Sequence, residues 1–495
     1  MWHRLLLSCS NWILVLALFG SWMLVSCGGG GNTSPPPPPA LQSISITPQN
    51  LTNSAGQTQQ FQATGSYGDG STRDLTTTVS WSSATPGVAT IARTGLAASL
   101  AAGTATIQAT SGSISGSTSL HVTVTAWRDV TYFIGSSFPS GGINPRGVVV
   151  ADFNGDGKLD IAVSNTDTNT VAVFLKEASG SFGTPIITTV QIPGGLGSLA
   201  LGDFNEDEKP DLVVATISGN QSNIVLLGSG DGTFRQQSPI PNSFGFFHAK
   251  VADLNGDGHE DLVLGCNGNL SISMGRGDGT FIDTVQLPQP NIAGFSGIYL
   301  GITVADFNGD GKLDIVATDA VSAYSFGILV FYPGNGDGTF GNVIAARLPV
   351  SQPGSLASGN VYGDGKQDIL VGFPNLAFIM RGNGDGTFDL SLANIGYVYS
   401  RPPTTSDNGI TVFAGDLIWD GKIDAVTSDS DIGTLQIVLN SALGLAPTTE
   451  GYFSFALSPG ITEIAAGDLN GDGVLDVVVT NYLTSEITII LSGRK

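Results

Sequence analysis

Apolar residues recur at alternate positions through most of this chain, and no segment shows the three-to-four-residue spacing of an amphipathic helix. Between residues 41 and 125 the alternating runs are short and rich in Ser, Thr and Ala. Ile44 shares a face with Ile46, Val79 with Trp81, Ala105 with Ile107 and Ala109, and Leu120 with Val122 and Val124. Period-two alternation broken by Gly-, Asp- and Ser-rich turns predicts a small antiparallel sandwich. No cysteine pair lies in this span, so Trp81 is expected to anchor the core without a disulfide. From residue 128 the pattern changes. An apolar run such as Gly147-Val-Val-Val-Ala151 enters a glycine-rich loop and a second such as Leu159-Asp-Ile-Ala-Val163 leaves it. A third apolar run follows, as in Ile224–Leu227 or Ile328–Phe331, then a Gly-Asp-Gly-Thr-Phe turn at 230–234, 277–281, 336–340 and 384–388, then a polar fourth strand. Four strands per unit, apolar inside and polar outside, is the plan of a propeller blade.

The loop between the first two strands recurs seven times at a spacing of 50 to 56 residues. Its clearest copies are Asp152-Phe-Asn-Gly-Asp-Gly-Lys-Leu-Asp160, Asp306-Phe-Asn-Gly-Asp-Gly-Lys-Leu-Asp314 and Asp468-Leu-Asn-Gly-Asp-Gly-Val-Leu-Asp476, and variants open at Asp203, Asp253, Asn360 and Asp416. A fixed period of this length marks a repeat architecture. The 368 residues from 128 to the end hold seven units, so a seven-bladed β-propeller is expected, assigned to 126–495. Only 19 residues follow Asp476, too few for a complete last blade, while the strand near 130–137 precedes the first loop with no unit of its own. That strand is expected to pair with 486–491 and close the ring, which removes the open sheet edges.

Numbered 1 to 9, each loop carries side-chain oxygens at positions 1, 3, 5 and 9, with the carbonyl of position 7 between them. Glycines at 4 and 6 allow positive φ, so the chain can curl around one point. Hard oxygen donors at this density suit calcium, which takes six to eight of them. The loops, the strands that follow and the Gly-Asp-Gly-Thr-Phe turns together resemble the FG-GAP/VCBS repeat family, whose members include the calcium-binding blades of integrin α-subunit propellers. The resemblance covers 128–495 and implies about five calcium sites. Their ligands would be Asp152, Asn154, Asp156, Lys158 (by its carbonyl) and Asp160; Asp203, Asn205, Asp207 and Asp211; Asp253, Asn255, Asp257, His259 (carbonyl) and Asp261; Asp306, Asn308, Asp310, Lys312 (carbonyl) and Asp314; and Asp468, Asn470, Asp472, Val474 (carbonyl) and Asp476. In the second loop Glu206 and Glu208 stand where glycine is expected, a strain on the order of 1 kcal/mol at a positive φ. The fifth loop offers Asn360, Tyr362, Asp364 and Asp368, and the sixth has the non-ligating Ile418 among Asp416, Asp420 and Asp424; both are expected to be metal-free turns or weak sites.

The segment 41–125 resembles bacterial immunoglobulin-like group 2 domains in Ser45-Ile-Thr-Pro48, Val79-Ser-Trp-Ser-Ser83, Val88-Ala-Thr-Ile91 and Ala102-Gly-Thr-Ala-Thr-Ile107. That resemblance implies a spacer or adhesive module. The fold class is therefore all-β: a small immunoglobulin-like sandwich followed by a seven-bladed propeller with calcium-binding loops.

The formal net charge is −22. It excludes a nucleic-acid binder, since no basic surface exists to neutralise phosphates. Of 34 aspartates, 20 lie in the seven loops and four in the Gly-Asp-Gly-Thr turns, so the acidity is loop chemistry. Three cysteines make no disulfide framework. Cys27 ends Leu24-Val-Ser-Cys27, after an apolar run from Trp12 to Ser26 too short to span a membrane. The tetrapeptide resembles a bacterial lipobox. It implies a lipoprotein signal peptide over 1–26, lipidation of Cys27, and a flexible then stiff linker over 27–40 that holds Pro35 to Pro39. An ordinary cleaved leader is the alternative. The expected location is an exported bacterial lipoprotein at the outer membrane or cell surface, touching membrane only through lipid. After the leader only His121, His248 and His259 remain, and neither a zinc cluster nor a Ser/His/Asp arrangement is readable. The expected function is a surface-anchored module binding an extracellular protein or glycan. A lyase-like enzyme acting on extracellular polysaccharide and a structural envelope component are the alternatives.

Overall fold

The computed structural model describes residues 39–494 except 101, 124–129, 193, 218–222, 242, 244–245, 267–269, 283, 294, 296, 298, 320–325, 392–395, 403–408 and 441–450. The leader, Cys27 and most of the proline stretch lie outside the described residues.

Every regular element among the described residues is a strand. The first domain is the expected sandwich. Leu41–Thr47 pairs with Gln62–Tyr67, which pairs with Thr72–Asp74; the opposing sheet runs Leu51–Ser54, Ile114–Thr123, Gly103–Ser111, Ser80–Ser83. A third small sheet joins Thr58–Gln60, Leu96–Ser99 and Ala89–Ile91. The inward set is the one the alternation marks, with Ile46, Ala105, Ile107, Ala109, Leu120 and Val122 all essentially inaccessible. Two details differ from the sequence expectation. Leu51–Ser54 runs parallel to Ile114–Thr123, because the chain changes sheets between the first two strands. The fully buried aromatic is Phe61, while Trp81 is partly exposed and donates its indole N–H to the Thr76 carbonyl at 2.8 Å. An indole needs an acceptor, and the acceptor holds it at the domain edge.

The remaining strands form seven four-stranded antiparallel sheets. Blade one is Pro145–Ala151, Asp160–Asn165, Thr170–Phe174 and Ile186–Thr189. The innermost strands of the next six are Leu196–Gly202, Phe246–Ala252, Tyr299–Ala305, Leu356–Gly359, Ile410–Gly415 and Ile461–Gly467. Each innermost strand touches the next, and the last touches the first, so the sheets form a closed ring. The seventh sheet is completed by Val130–Pro139, which pairs antiparallel with Glu486–Arg494 from Val130↔Arg494 to Pro139↔Glu486. Second strands such as Asp160–Asn165 and Asp476–Asn481 are buried at every residue, whereas Ile186–Thr189 on the rim alternates between exposed and half-buried. Sheets stacked on both faces need apolar side chains on both faces, which is why inner strands read as continuous runs rather than alternations. The core is accordingly a set of inter-blade layers, as where Val148, Ile161 and Val163 of blade one meet Val478, Ile487 and Ile489 of blade seven.

The sandwich rests on the sixth and seventh loops. Trp419 packs against the sandwich core, and a Cβ at Gly56 would collide with its indole. Gln57 Nε2 donates to Asp468 Oδ2 at 3.3 Å.

Candidate functional site

Each nine-residue loop joins the innermost strand of its blade to the second, and the second strand begins at position 9 in all seven: Asp160, Asp211, Asp261, Asp314, Asp368, Asp424 and Asp476. The glycines at positions 4 and 6 hold the expected left-handed backbone, as at Gly155 (φ 72°) and Gly157 (φ 80°). Glu206 (φ 57°) and Glu208 (φ 64°) adopt it in the second loop, and Trp419 (φ 56°) in the sixth. Each such side chain costs about 1 kcal/mol relative to glycine.

Position 1 works as the hub of the turn. Asp152 accepts the Gly155 amide at 2.8 Å, the Asp156 amide at 3.1 Å and the Gly157 amide at 2.7 Å. Asp253, Asp306 and Asp468 repeat the pattern through Gly256 and Gly258, Gly309 and Gly311, and Gly471 and Gly473. Asp203 accepts from the amides of Asp207 and Glu208. Position 3 accepts the position 5 amide, as Asn154, Asn205, Asn255, Asn308 and Asn470 all do. Position 5 in turn accepts the amide of position 7, namely Lys158, Lys209, His259, Lys312 or Val474.

Position 9 is wholly buried in every loop. One of its oxygens accepts the position 2 amide, and the other reaches the end of the third strand. Asp160 takes Phe153 N at 3.0 Å and Lys176 N at 2.7 Å, and Asp476 takes Leu469 N at 2.8 Å and Ser492 N at 2.6 Å. The fifth and sixth loops do the same through Asp368 and Asp424, although both lack part of the ligand pattern. Burial raises these carboxyl pKa values against the pull of their hydrogen bonds, Asp211 and Asp476 to about 6, and the neighbouring loop aspartates add to the rise.

Cations of the chain itself serve some position 5 carboxylates. Lys158 Nζ lies 2.7 Å from Asp156 and Lys209 Nζ 3.1 Å from Asp207. The Lys158 ammonium and amide hold Asp156 below the usual carboxylate range. In the fifth loop Arg381 lies 2.8 Å from Asp364 and over the Tyr362 ring. In the sixth, Ile418 is buried beside Leu417. As they stand, no three His, Cys, Asp or Glu side chains among the described residues converge closely enough to hold a metal. Backbone amides and lysines draw the oxygens apart, but a carboxylate oxygen that accepts one amide keeps capacity for a further partner, and the donors in the five full loops are all hard oxygens.

The two glycine motifs also meet between blades. Phe153 lies edge-on to Phe234 at 5.7 Å, Phe204 to Phe281 at 5.5 Å and Phe307 to Phe388 at 5.7 Å, each pairing a loop with the Gly-Asp-Gly-Thr-Phe turn of the next blade. The amides of Gly232, Gly279 and Gly386 donate to the carbonyls of the same loop phenylalanines. The turn aspartates close their own turns. Asp231, Asp278, Asp337 and Asp385 each accept both the amide and the hydroxyl of the threonine two residues on.

At the opposite ends of the innermost strands a cavity of about 500 Å³ opens at the mouth of the ring, with residues from every blade around it. Arg146, His248, Glu463 and Tyr482 are among its walls. Lys250 lies two residues along the strand from His248 and acts electrostatically on Glu463 across the ring. Lys250 is wetted by the lumen yet hemmed in by the inner strands; confinement lowers its pKa, and Glu463 opposes the shift. Confinement raises Glu463 to about 7, with Lys250 opposing, and lowers His248 to about 4, with Lys250 adding to the shift. Sequence reasoning weighed His248 only in excluding a zinc cluster or triad and passed over Arg146, Lys250, Glu463 and Tyr482. The signal was present: five residues before each loop stand Gly147, Ser198, His248, Gly301, Ser355, Thr411 and Glu463, a series in which one carboxylate and one imidazole are outliers.

Residues 152–214, 203–264, 253–317 and 419–479 match the FG-GAP-like repeat family, and 40–124 match the bacterial Ig-like domain, group 2. Ice-binding protein 1 of Shewanella frigidimarina (strain NCIMB 400) is 32% identical over 201 residues, covering 41% of this chain and 20% of that protein. Integrin alpha-IIb of Mus musculus is 29% identical over 168 residues, covering 28% of this chain and 16% of that protein. The chain thus spans about a fifth or less of these relatives' length. Among solved structures, an Agrocybe aegerita lectin that recognises non-reducing terminal N-acetylglucosamine aligns with a TM-score of 0.44 at 20% identity, over 64% of this chain and 86% of that one. The Dos1 propeller aligns with a TM-score of 0.44 at 11% identity, over 72% and 95%.

Proposed function

We propose that this chain, an FG-GAP propeller with an N-terminal bacterial immunoglobulin-like domain, is an adhesion module that binds a protein or glycan outside the cell. The observation that carries the reading is the repeat itself: the chain matches the FG-GAP-like family and is also similar in part to integrin alpha-IIb and to an ice-binding protein. The ring supports it physically. Loops and turns are pinned to each other by aromatic pairs and backbone bonds between blades one and two, two and three, and four and five, so the ring is a rigid frame that loses little entropy on binding.

Calcium belongs to the same proposal. When bound, it would supply positive charge to loops that each gather three aspartates. The five full loops would hold it through positions 1, 3, 5 and 9 and the position 7 carbonyl, with Lys158 and Lys209 giving up Asp156 and Asp207. Lipidation of Cys27 would tether the module at the surface through the linker, and Cys27→Ala should release the protein from membranes or leave the precursor uncleaved.

A binding screen of the full chain against glycans and envelope or host proteins, run with and without calcium, tests the function. A saturable partner is expected. Failure to bind anything in either condition would leave the structural-component reading standing, and turnover of an acidic polysaccharide would replace adhesion by an enzyme.

A further inference from the structure

The inner strands of a propeller line a narrow channel between low-dielectric sheets, where a charged side chain needs either a partner or access to water. This ring places three there, Arg146 and Lys250 exposed to the lumen and Glu463 half-buried. Arg146, Lys250 and Glu463 come from blades one, three and seven, and around the lumen they form neither a short ion pair nor a side-chain hydrogen bond with one another. Structural need does not account for them. Apart from His248, the equivalent positions elsewhere in the ring are Gly, Ala, Ser, Thr, Val, Leu, Ile or Phe, and those blades close equally well. Two of the three groups are cations and His248 is held neutral, so the mouth of the ring is locally positive in a chain whose formal net charge is −22. An excess of one sign between low-dielectric walls attracts ions of the other sign.

We propose, building on the adhesion reading, that the mouth of the central channel binds a small carboxylate-bearing sugar, such as the terminal uronate of an acidic glycan. The cavity of about 500 Å³ is of small-ligand size and larger than an inorganic anion needs. The Arg146 guanidinium stands over the Tyr482 ring, 6.0 Å from its centre, so a planar cation that can take a carboxylate through two N–H groups is oriented by an aromatic ring at the mouth. Lys250, two residues along the strand from the wall residue His248, is the second cation and acts on the site by its charge, and Glu463 in the wall is placed to accept from a sugar hydroxyl. The hydroxyls of Thr411 and Ser355 at the rim already bond to backbone groups, which makes the wall polar without leaving it to compete for the carboxylate. The ligand end of the ring is therefore the end away from the acidic loops, whose charge would repel such a ligand.

The test is a ligand-observed NMR titration of the full chain with glucuronate, glucose and inorganic phosphate. Glucuronate should saturate, with glucose and phosphate each at least about tenfold weaker. Lys250→Met and Arg146→Gln should each weaken glucuronate by about tenfold or more, and Glu463→Gln should tighten it, a change of opposite sign that a purely structural role would not produce. Melting curves of the three variants establish folding, and Arg146, being exposed at the rim, provides the variant least able to disturb the core. Absence of saturation, phosphate binding as tight as glucuronate, or indifference of binding to all three substitutions would overturn the proposal. The adhesion reading fails separately: a partner from the binding screen that binds Lys250→Met unchanged removes this site and leaves adhesion intact, whereas glucuronate saturation with no macromolecular partner does the reverse.

Discussion

Asp368 separates two roles that a position 9 aspartate could have. It lies in the fifth loop, where Asn360, Tyr362 and the Arg381–Asp364 pair leave little for a metal to take, yet it is fully buried and accepts Val361 N at 2.8 Å, Gly382 N at 2.9 Å and Tyr362 N at 3.2 Å. Asp368→Ala strands two buried amide donors, those of Val361 and Gly382, and each costs about 1–3 kcal/mol. Part of that is returned, because burial raises the Asp368 pKa and the mutant no longer holds a confined charge. The net expectation is a loss of about 2–4 kcal/mol. Asp364→Ala removes a solvent-screened ion pair and the acceptor of the exposed Lys366 amide, and should cost about 0–1 kcal/mol. Urea denaturation followed by fluorescence, with chelator present throughout, measures both. A loss below about 1 kcal/mol for Asp368→Ala in chelator would refute the reasoning, since the aspartate would then not be a fastener of backbone. A loss seen only with calcium present would make it a ligand even in this loop.

Trp419→Gly should relieve about 1 kcal/mol of backbone strain in the sixth loop while freeing the sandwich from the ring; a larger maximum dimension in small-angle scattering is expected, and an unchanged profile would show that Trp419 does not dock the domain. Deleting Val130–Pro139 removes the buried Val130 and Tyr132, the latter edge-on to Phe453 at 5.1 Å, and should cost the ring at least about 4 kcal/mol, whereas removing 41–123 should leave a cooperative melting transition. Calcium at about 1 mM should add about 0.4–1.4 kcal/mol per occupied loop for affinities on the order of 10⁻⁴ to 10⁻³ M. In calorimetry Asp310→Ala should lose a share of that shift and Asp420→Ala almost none. A melting temperature indifferent to chelator would remove calcium from the proposal.

Much of this architecture was legible because each blade is specified locally. The Asp-x-Asn-Gly-Asp-Gly-x-x-Asp loop writes its own turn through side chain-to-backbone bonds spanning two to seven residues, so its period reports the blades directly, and a leftover strand near 130 implies the ring's closure. The position 9 aspartates were legible as oxygens but not as fasteners, because one of their partners, such as Lys176 N or Ser492 N, lies 16 residues further along the chain. Trp419 stands where most of the loops place glycine, and the surface that makes it an anchor belongs to a domain more than three hundred residues away. The charges at the channel mouth sit on strands whose pattern speaks only of burial between sheets. The sequence alone determined what each residue does within reach of its own turn, since hydrogen bonds across a few residues depend on local backbone geometry. Only the tertiary structure decided what meets across the ring, because closing seven sheets brings together side chains that no sequence spacing relates.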